Sequence, residues 1–390
     1  MADAQRLILG GVTPLPAEVV SLEGAAGRVL AEPARAVVDL PPFPSSAMDG
    51  YAVRAADTPG QLRVAGRIAA GEPATVALVP GEAMEISTGG VVPEGADAVI
   101  PVEYVVEHDN EVETGGVAPG ANVRPRGGDI QAGEVVADPG SVLTPARLGA
   151  LAAAGIPEVR CARSPRAAVL ATGTELRRPG ESLAAGEIYE ANGLILSAQL
   201  EAAGAVVKRF PAVGDDEGEL RSALEVALAA DVVVTSGGVS VGPHDLVRRV
   251  EAELGVEEVF WRVAVKPGKP IAFGVRERTL VFGLPGNPVS ALVGFELFVK
   301  PAVRALQGVP DPLPRFERGR LRGARRRNPE RDELVRARLR RSADGSLLEP
   351  LSGQESHMIA RSAGADALLL VERGNGELVD GTPVDYLRLE

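Results

Sequence analysis

Between residues 165 and 307, short apolar runs alternate with longer amphipathic ones. The apolar runs RAAVLAT, AVVKRFPAVG, DVVVTS and LVFGLP have the length of buried strands, and a segment with helical periodicity follows each of them. Strands that each lead into a helix form βαβ units, so this segment predicts a parallel sheet covered by helices. Right-handed crossovers bring the loops after the strands to one edge of that sheet, where ligands bind in open α/β folds.

The segment before this sheet has two different patterns. Residues 1–40 are predicted to be helical: Pro14–Glu18 opens an amphipathic segment that Val19–Ala31 continues. The prolines at 41–44 break any helix, and short alternating runs up to residue 136 predict an all-β insert.

A second helical stretch is expected over Thr144–Val159, with Thr144 as its N-cap and Pro145 at the first helical position. Gly155 and Pro157 are expected to end it. After the sheet segment, the proline cluster PDPLP ends the α/β pattern. Short strands such as LVRARL, ALLLVE and PVDYLRL then predict a small β-barrel at 309–390.

Composition excludes several classes of function. The net charge of −12 disfavours nucleic acid or an anionic membrane as the main partner. No stretch approaches the roughly 18 consecutive apolar residues that a membrane span needs. The single cysteine, Cys161, excludes an intrachain disulfide and a cysteine metal cluster, and it favours a cytoplasmic location.

Polar or glycine-rich loops follow four of the predicted strands. Their candidate residues are Thr174 and Glu175; Asp215 and Asp216; Gly237, Gly238, Ser240, Gly242 and Asp245; and Pro285, Gly286, Asn287 and Pro288. Backbone N–H groups of glycine loops surround anions, and helix N-termini add partial positive charge. The carboxylates Glu175, Asp215 and Asp245 suit a magnesium ion that bridges phosphates.

Each of these residues also has a purely structural interpretation. Asp215, Asp245 and Asn287 precede predicted helices, where Asp and Asn serve as N-caps. Asn192 is a further candidate cap. His244 has no second histidine nearby in the sequence, which favours a loop residue over a metal ligand. All the loop residues of this set are predicted to lie at one edge of the sheet, and this convergence favours a functional role over a structural one.

The segment KPGKP lies between two apolar runs, so Pro267–Gly268 is predicted to form a hairpin turn. It carries Lys266 and Lys269, two of only four lysines in the chain. Arg262 precedes Lys266 by four residues, an even offset that predicts the same face of an extended strand. This cationic cluster fits an anion site, and a solvated turn is the alternative.

The β insert contains three polar turns: SSAMDGYAV with Asp49, ISTGG with Thr88, and RPRGGD with Arg124 and Asp129. Individually such turns mostly connect strands. Together, the stretches PPFPSSAMDGYAVR, ISTGGVVPEGADAVIPVE, RPRGGDI, TGTEL, TSGGVSVGPHD, VKPGKPIAFG and GLPGNPVSAL resemble the molybdopterin molybdenumtransferase family, which includes bacterial MoeA and the corresponding domain of gephyrin.

The resemblance implies a multidomain fold of class α/β plus β. Its parts would be an elongated helical domain (1–40 and 137–163), a β insert (41–136), a molybdopterin-binding α/β domain with a parallel sheet (164–308) and a C-terminal β-barrel (309–390). It also implies the reaction: adenylylated molybdopterin and molybdate give molybdenum cofactor and AMP, with a divalent cation such as Mg²⁺. Tungstate and other divalent ions fit the same pattern.

By motif, the resemblance implies functional positions of three kinds. The catalytic positions are Asp49, Thr88, Glu175, Asp215, Asp245 and Lys266. Three of these, Glu175, Asp215 and Asp245, are also the metal ligands. The substrate-binding positions are Arg124, Asp129, Gly237, Gly238, Ser240, Arg262, Lys269, Pro285, Gly286, Asn287 and Pro288. One position departs from the pattern, since the family often has lysine where this chain has Arg262. The C-terminal barrel matches loosely, and no site residue is assigned to it.

The predicted partners are a small-molecule substrate and a second copy of the chain, with neither nucleic acid nor membrane. A helical tether would hold the β insert away from its own α/β domain, which predicts a homodimer with a shared active site. An intrachain site is the alternative. Contact with the molybdopterin adenylyltransferase is a further candidate. Two other functions stay open: the preceding adenylylation step, and a receptor-binding scaffold like gephyrin.

Overall fold

The computed structural model describes residues 1–214, 216–238, 246–342 and 345–389. The helices are α1 (Ala2–Gly10), α2 (Pro145–Ala153), α3 (Asn192–Ala202), α4 (Glu217–Ala227), α5 (Leu246–Glu253), α6 (Pro288–Gly294) and α7 (Lys300–Leu306), with a π-helical turn at Phe295–Val299 between α6 and α7. Short 3₁₀ turns lie at Leu22–Gly24, Ala55–Asp57, Val102–Tyr104 and Ile359–Gly364.

The strands up to residue 189 are β1 (Ala17–Ser21), β2 (Ala34–Arg35), β3 (Ser45–Ser46), β4 (Gly50–Val53), β5 (Gly60–Ile68), β6 (Glu82–Ile86), β7 (Ala98–Pro101), β8 (Val105–His108), β9 (Glu111–Thr114), β10 (Val123–Arg124), β11 (Val135–Ala137), β12 (Glu158–Ala162), β13 (Arg166–Ala171), β14 (Leu176–Arg177) and β15 (Ile188–Tyr189). The later strands are β16 (Val206–Arg209), β17 (Val232–Ser236), β18 (Glu257–Trp261), β19 (Val265–Lys266), β20 (Ala272–Arg276), β21 (Thr279–Leu284), β22 (Glu317–Leu321), β23 (Arg325–Arg326), β24 (Asp332–Ser342), β25 (Gly345–Pro350), β26 (Ala367–Val371), β27 (Glu377–Leu378) and β28 (Pro383–Arg388).

The chain forms two compact units. The first comprises Met1–Glu18, Gly27–Ala31 and Cys161–Glu390, and the second comprises Val19–Ala26 and Glu32–Arg160. The domain boundaries predicted from the sequence remain a prediction, because this division is coarser than they are.

The first unit is built on the predicted parallel sheet, whose strand order is β16-β13-β17-β21-β20-β18. Strands β16, β13, β17 and β21 are parallel, and β20 and β18 add an antiparallel hairpin at one side. Apolar residues on both faces of the sheet are buried against helices, as the near-continuous apolar strands require. The predicted α/β architecture is therefore confirmed.

The same unit contains the predicted C-terminal barrel. Its strands follow the order β24-β25-β22-β28-β26, and β26 pairs back onto β24, which closes the sheet. The barrel has its own core around the fully buried Tyr386, while Leu334, Leu368 and Leu387 belong to the core of the α/β sheet. Strand β19 pairs with β24, so the KPGKP segment is hydrogen-bonded to the barrel.

The second unit contains the predicted β insert. Its main sheet has the order β7-β4-β6-β5-β9-β8, with separate apolar clusters centred on Val53 and on Met84. Gly50 begins β4 where the strand approaches β7 closely: a Cβ at this position would overlap the carbonyl oxygen of Ile100. Only glycine fits such a backbone approach.

Two predicted helices differ from the structure. The helix expected over Val19–Ala31 is wrong: Val19 lies in strand β1, and Gly27 has a φ of +74° that ends any helical path. The helix expected over Thr144–Val159 begins as predicted, since Thr144 accepts a hydrogen bond from the amide of Arg147 (3.4 Å). It ends at Ala153, short of Val159, just before Gly155, which with Pro157 is the predicted stop and has a φ of +77°. In both segments β-branched residues and glycines favour strands and turns over a continued helix.

Among the described residues, no helix is long and apolar enough to cross a membrane.

We expect Gly50→Ala to lower the free energy of unfolding by roughly 2 kcal/mol or more, because the added methyl group must displace the paired strand β7. Chemical denaturation monitored by circular dichroism measures this. Gly66→Ala is the matched control, since a Cβ at Gly66 in the same sheet meets nothing within 4 Å. Equal stability of the two variants would contradict the close approach.

Candidate active site

A cleft of about 800 Å³ opens at the edge of the sheet where β13, β17 and β21 end. The loops after these three parallel neighbours line it, as the sequence predicted for the glycine-rich motifs. Its wall includes several predicted positions: Glu175, Gly237, Gly238, Pro285, Gly286, Asn287 and Pro288. The structure therefore brings these residues together at the predicted edge.

Two glycines that follow β17 allow its backbone to approach the end of β13 and helix α5 closely. Gly237 has a φ of +97°, and a Cβ there would lie 2.5 Å from the carbonyl oxygen of Thr172. Gly238 has a φ of +66°, and its Cβ would overlap the side chain of Val247 on α5. Any larger residue would separate β13 from β17 or displace α5. The two glycines thus let the loop pass close to β13 and α5 at the wall of the cleft.

Asn192 joins the loops instead of capping its helix. Its Nδ2 donates to Ser236 Oγ (2.8 Å) and to the carbonyl oxygen of Gly286 (2.7 Å). Asn192 is buried, and Ser236 Oγ in turn donates to the carbonyl oxygen of Pro285 (3.3 Å). The cap prediction is wrong because Asn192 is the first residue within α3, with Ala191 at the cap position. Asn192 fixes the loop after β21 to the end of β17.

The predicted carboxylates are described only in part. The Glu175 side chain is exposed, and its carboxylate lies beside Gly173 at the cleft. Asp215, Asp245 and Ser240 lie outside the described residues, as do Gly242 and His244. The N-cap of α4 is Asp216, which accepts a hydrogen bond from the amide of Glu219 (2.8 Å).

No group of three His, Cys, Asp or Glu side chains that could hold a metal ion occurs within the described ranges. Two of the three predicted magnesium ligands, Asp215 and Asp245, fall outside those ranges. Glu175 and Glu190 line the cleft with carboxylate oxygens, the donor type that Mg²⁺ prefers. The donor chemistry of the described wall fits the predicted ion.

The C-terminal region supplies a wall that the sequence analysis did not assign. His357 and Ile359 line the same cleft as the glycine loops. Asn287 Nδ2 donates to Ser356 Oγ (2.9 Å), and the amide of Val289 donates to the Ser356 carbonyl oxygen (3.1 Å). Asn287 occupies the N-cap position of α6, yet its side chain makes no capping hydrogen bond.

A buried arginine holds this C-terminal loop in shape. The guanidinium of Arg336 donates to the carbonyl oxygens of Gly353 (2.7 Å) and Met358 (2.5 Å), and to Ser362 Oγ (3.0 Å). Burial lowers the pKa of Arg336 from its ordinary value. The sequence contained one signal for this loop: Arg336 lies within a predicted apolar strand of the barrel. A charged side chain buried there requires hydrogen-bond acceptors such as these carbonyl oxygens.

The lysine-containing segment differs from its prediction. Strands β18 and β20 pair antiparallel as expected, but residues 262–271 separate them, so the tight hairpin turn predicted at Pro267–Gly268 is wrong. Strand β18 ends at Trp261, and Arg262 has a φ of +80°. Arg262 and Lys266 therefore do not share one extended strand, and the even-offset argument is wrong. The left-handed residue redirects the chain so that Lys266 enters β19 beside the barrel.

Lys266 contacts a buried carboxylate. Its Nζ lies 3.1 Å from Glu333 Oε1, which Arg325 also contacts at 2.8 Å. Glu333 is buried, whereas the Lys266 side chain is 45% exposed. Glu333 fixes the direction of an ammonium group that solvent still reaches, and Lys269 is exposed in the same turn.

The second unit gathers two of its predicted motifs. Asp49 accepts a hydrogen bond from the amide of Thr88 (2.7 Å), and both residues are exposed. Strand β10, which ends with Arg124, pairs with β3 next to the Asp49 turn. The Asp129 turn is bound instead to Leu40, whose carbonyl oxygen accepts from the Asp129 amide (2.8 Å).

An ion pair stabilises the loop that contains Arg126 and Asp129. A hydrogen bond from the Ala132 amide and a second one from Arg126 hold the pKa of Asp39 below its ordinary value. A carboxylate whose pKa is lowered by folding stabilises the fold above its unfolded-state pKa, and this contribution disappears as the pH falls.

Comparison with known proteins identifies similarity along the whole chain. Residues 1–155 match the MoeA N-terminal region (domain I and II), 168–305 a probable molybdopterin binding domain, and 318–389 the MoeA C-terminal region (domain IV). The chain is 37% identical to molybdopterin molybdenumtransferase 2 of Mycobacterium tuberculosis over 93% of each protein. It is 42% identical to the Haemophilus influenzae molybdopterin molybdenumtransferase over 76% of this chain and 74% of the relative.

A solved structure agrees with the sequence matches. The molybdopterin biosynthesis MoeA protein of Pyrococcus horikoshii superimposes with a TM-score of 0.82 at 32% identity. The alignment covers 99% of this chain and 98% of that one.

We expect Asn192→Asp to lower the free energy of unfolding by about 1–3 kcal/mol, because a carboxylate would face the Gly286 carbonyl oxygen without a proton to donate. Denaturant unfolding measures the loss. Ser197→Ala on the same helix is the control: Ser197 Oγ is buried without a hydrogen-bond partner among the described residues, so its removal should cost little. Similar stability of both variants would show that the Asn192 bridge is not formed.

Proposed function

Because the chain belongs to the MoeA family of molybdopterin molybdenumtransferases, we propose that the sheet-edge cleft is where it inserts molybdate into adenylylated molybdopterin. The protein is a transferase of molybdenum cofactor synthesis. The observation that supports this location is the convergence of the motif loops Gly237–Gly238 and Pro285–Pro288 on one cleft. That cleft lies within the segment that matches the probable molybdopterin binding domain.

The chain's own groups suit a substrate with phosphates. Glycine loops between a strand and a helix suit phosphates, because their backbone amides stabilise negative charge on the pyrophosphate as AMP leaves. Gly238 and Gly286 of two such loops line the cleft. The cleft volume of about 800 Å³ lies within the usual range for ligand sites. His357 and Ile359 of the C-terminal region complete the lining of the cleft.

A divalent cation belongs to this proposal, with Glu175, Asp215 and Asp245 as the residues that would hold it. When bound, Mg²⁺ polarises phosphoryl oxygens and supports departure of AMP. Glu175 lies at the cleft wall, which supports its part in the set.

Molybdate is a tetrahedral dianion, so cationic side chains suit it. We assign Lys266, Arg262 and Lys269 to its binding. The contact with Glu333 supports this assignment for Lys266, because it orients a partly exposed ammonium group. Asp49, Thr88, Arg124 and Asp129 are proposed to act from the second unit.

We propose that the working form is a homodimer with a composite site. Asp49 and Thr88 belong to one unit of the chain and Glu175 to the other, while the family resemblance gives all three a role. A C₂ pair would supply both sets of residues to two equivalent sites. A cytoplasmic location and contact with the molybdopterin adenylyltransferase complete the proposal, and the single cysteine of the chain supports the location.

The purified protein should release AMP when it is mixed with adenylylated molybdopterin, molybdate and Mg²⁺. Glu175→Gln should lower this rate at least about tenfold, because it removes one of the carboxylates proposed to hold the divalent cation beside the substrate phosphates. Ser197→Ala is the matched control for handling and stability. AMP formation from ATP and molybdopterin would indicate the adenylylation step, and absence of any AMP release by the wild type would favour a scaffold.

Mixed dimers test the composite site. Asp49→Ala and Asp245→Ala chains should each be nearly inactive alone. Unfolding, mixing and refolding should restore activity that approaches a quarter of the wild-type value, because half of the dimers are mixed and each contains one intact site. Inactive mixed dimers, with their formation verified by two different affinity tags, would contradict the shared site and favour an intrachain one.

A further inference from the structure

The only tryptophan of the chain, Trp261, lies at the edge of the sheet that carries the cleft. Trp261 pairs with Ala272, and Ala272 pairs with Gly283 near the end of β21. The final residue of β18 therefore reaches the same edge as the loop that begins with Pro285.

Two guanidinium groups lie against this indole. The Arg262 Cζ is 3.8 Å from the ring centroid, and the Arg248 Cζ is 4.3 Å from it. Arg248 also forms an ion pair with Glu258 at 2.6 Å. For Arg262, no carboxylate partner occurs among the described residues, and the side chain is exposed. Contact with the ring is thus the interaction that orients Arg262.

The backbone places Arg262 in an unusual conformation. Its φ of +80° is uncommon for a residue with a side chain, and its amide donates to the carbonyl oxygen of Ile271 (2.9 Å). The next amide, that of Val263, donates to the carbonyl oxygen of Lys269 (3.0 Å). Strain of this kind at a functional position is retained when the surrounding contacts determine it.

The indole contributes its face and not its donor. Trp261 Nε1 is buried and has no hydrogen-bond partner in the described part of the chain. An arginine stacked on an aromatic face keeps its N–H groups, which lie in the guanidinium plane, free to donate to an oxyanion.

We propose that Trp261 is a positioning residue for molybdate: its face holds the guanidinium of Arg262 where the oxyanion binds. This inference rests on the proposed function, since it deepens the assignment of Arg262 to the molybdate site. It explains how arginine serves where the resembled pattern has lysine, because a planar guanidinium stacks on an aromatic face, which an ammonium group does not, and the stacking fixes its direction. It also makes Trp261 an intrinsic reporter of that site.

The first experiment measures the molybdate concentration at half-maximal AMP release. Trp261→Leu should raise it between about twofold and tenfold, the range expected for loss of a cation–π contact, while the maximal rate changes little. Trp261→Phe keeps an aromatic face and should remain within about twofold of wild type. Phe260→Leu is the matched control, since Phe260 packs against Phe273 instead of Arg262.

A double-mutant cycle separates positioning from general damage. Trp261→Leu should have no further effect on molybdate dependence once Arg262 has become alanine, because the two residues act through one contact. Additive effects would show that Trp261 acts independently of Arg262 and would overturn the inference. Thermal unfolding of every variant identifies any that fails to fold. If Trp261→Leu does not fold, the fluorescence comparison of wild type with Arg262→Ala below decides the question.

The second experiment uses tryptophan fluorescence without the pterin substrate. Sodium molybdate should change the emission of the wild-type protein in a saturable manner, whereas sodium chloride at the same ionic strength should not. Arg262→Ala should abolish the response, and Trp261→Phe gives the background signal. A saturable response that persists in Arg262→Ala would overturn the inference.

Lys266→Gln distinguishes failure of the inference from failure of the proposed function. If Lys266→Gln raises the half-saturating molybdate concentration and Trp261→Leu leaves it unchanged, the inference fails and the molybdate site stands. If neither variant changes it, the assignment of molybdate to this cationic segment fails. If the wild-type protein releases no AMP in this assay, the proposed function itself is contradicted.

Discussion

The site depends on the close approach of three backbones at the end of the parallel sheet. Gly237 lies against Thr172 and beside Gly286, and a side chain at Gly237 would force the β13 and β17 ends apart. Asn192 then connects the ends of β17 and β21 with two hydrogen bonds, one of them fully buried. The strands therefore fix the positions of the loops that line the cleft, and such pre-organisation is what transfer of a charged group requires.

The barrel is part of the same construction. Strand β19 hydrogen-bonds to β24, and Glu333 on β24 fixes the ammonium group of Lys266. Arg336, three residues further along the strand, binds the carbonyl oxygens of the loop that places His357 in the cleft. Strand β24 thus orients both Lys266, a proposed molybdate ligand, and the loop that forms one wall of the cleft. The barrel therefore contributes to the site although its sequence matches the family pattern only loosely.

Where the predictions from sequence were wrong, a backbone conformation or a tertiary contact overrode the local sequence pattern. Even spacing placed Arg262 and Lys266 on one face, but the left-handed backbone at Arg262 and the pairing of β19 with the barrel separate them. Asn192 has the sequence position of a cap, yet its amide bridges two distant loops. Val19–Ala31 has helical spacing, and strand β1 and Gly27 interrupt it. Helix propensity and residue spacing depend on neighbours along the chain, whereas the conformations of these residues depend on contacts with residues distant in sequence.

The sequence by itself determined the parallel α/β sheet, the closed C-terminal barrel, the edge at which Gly237, Gly286 and Glu175 meet, and the family. Strand–helix alternation and glycine loops encode these features locally, and crossover handedness places the loops. Only the tertiary structure decided that His357 enters the cleft, that Glu333 holds Lys266 and that Trp261 supports Arg262. Contacts with partners that are distant in sequence, or made through a left-handed turn, leave no periodic signal, so folding has to bring the groups together before they can be recognised.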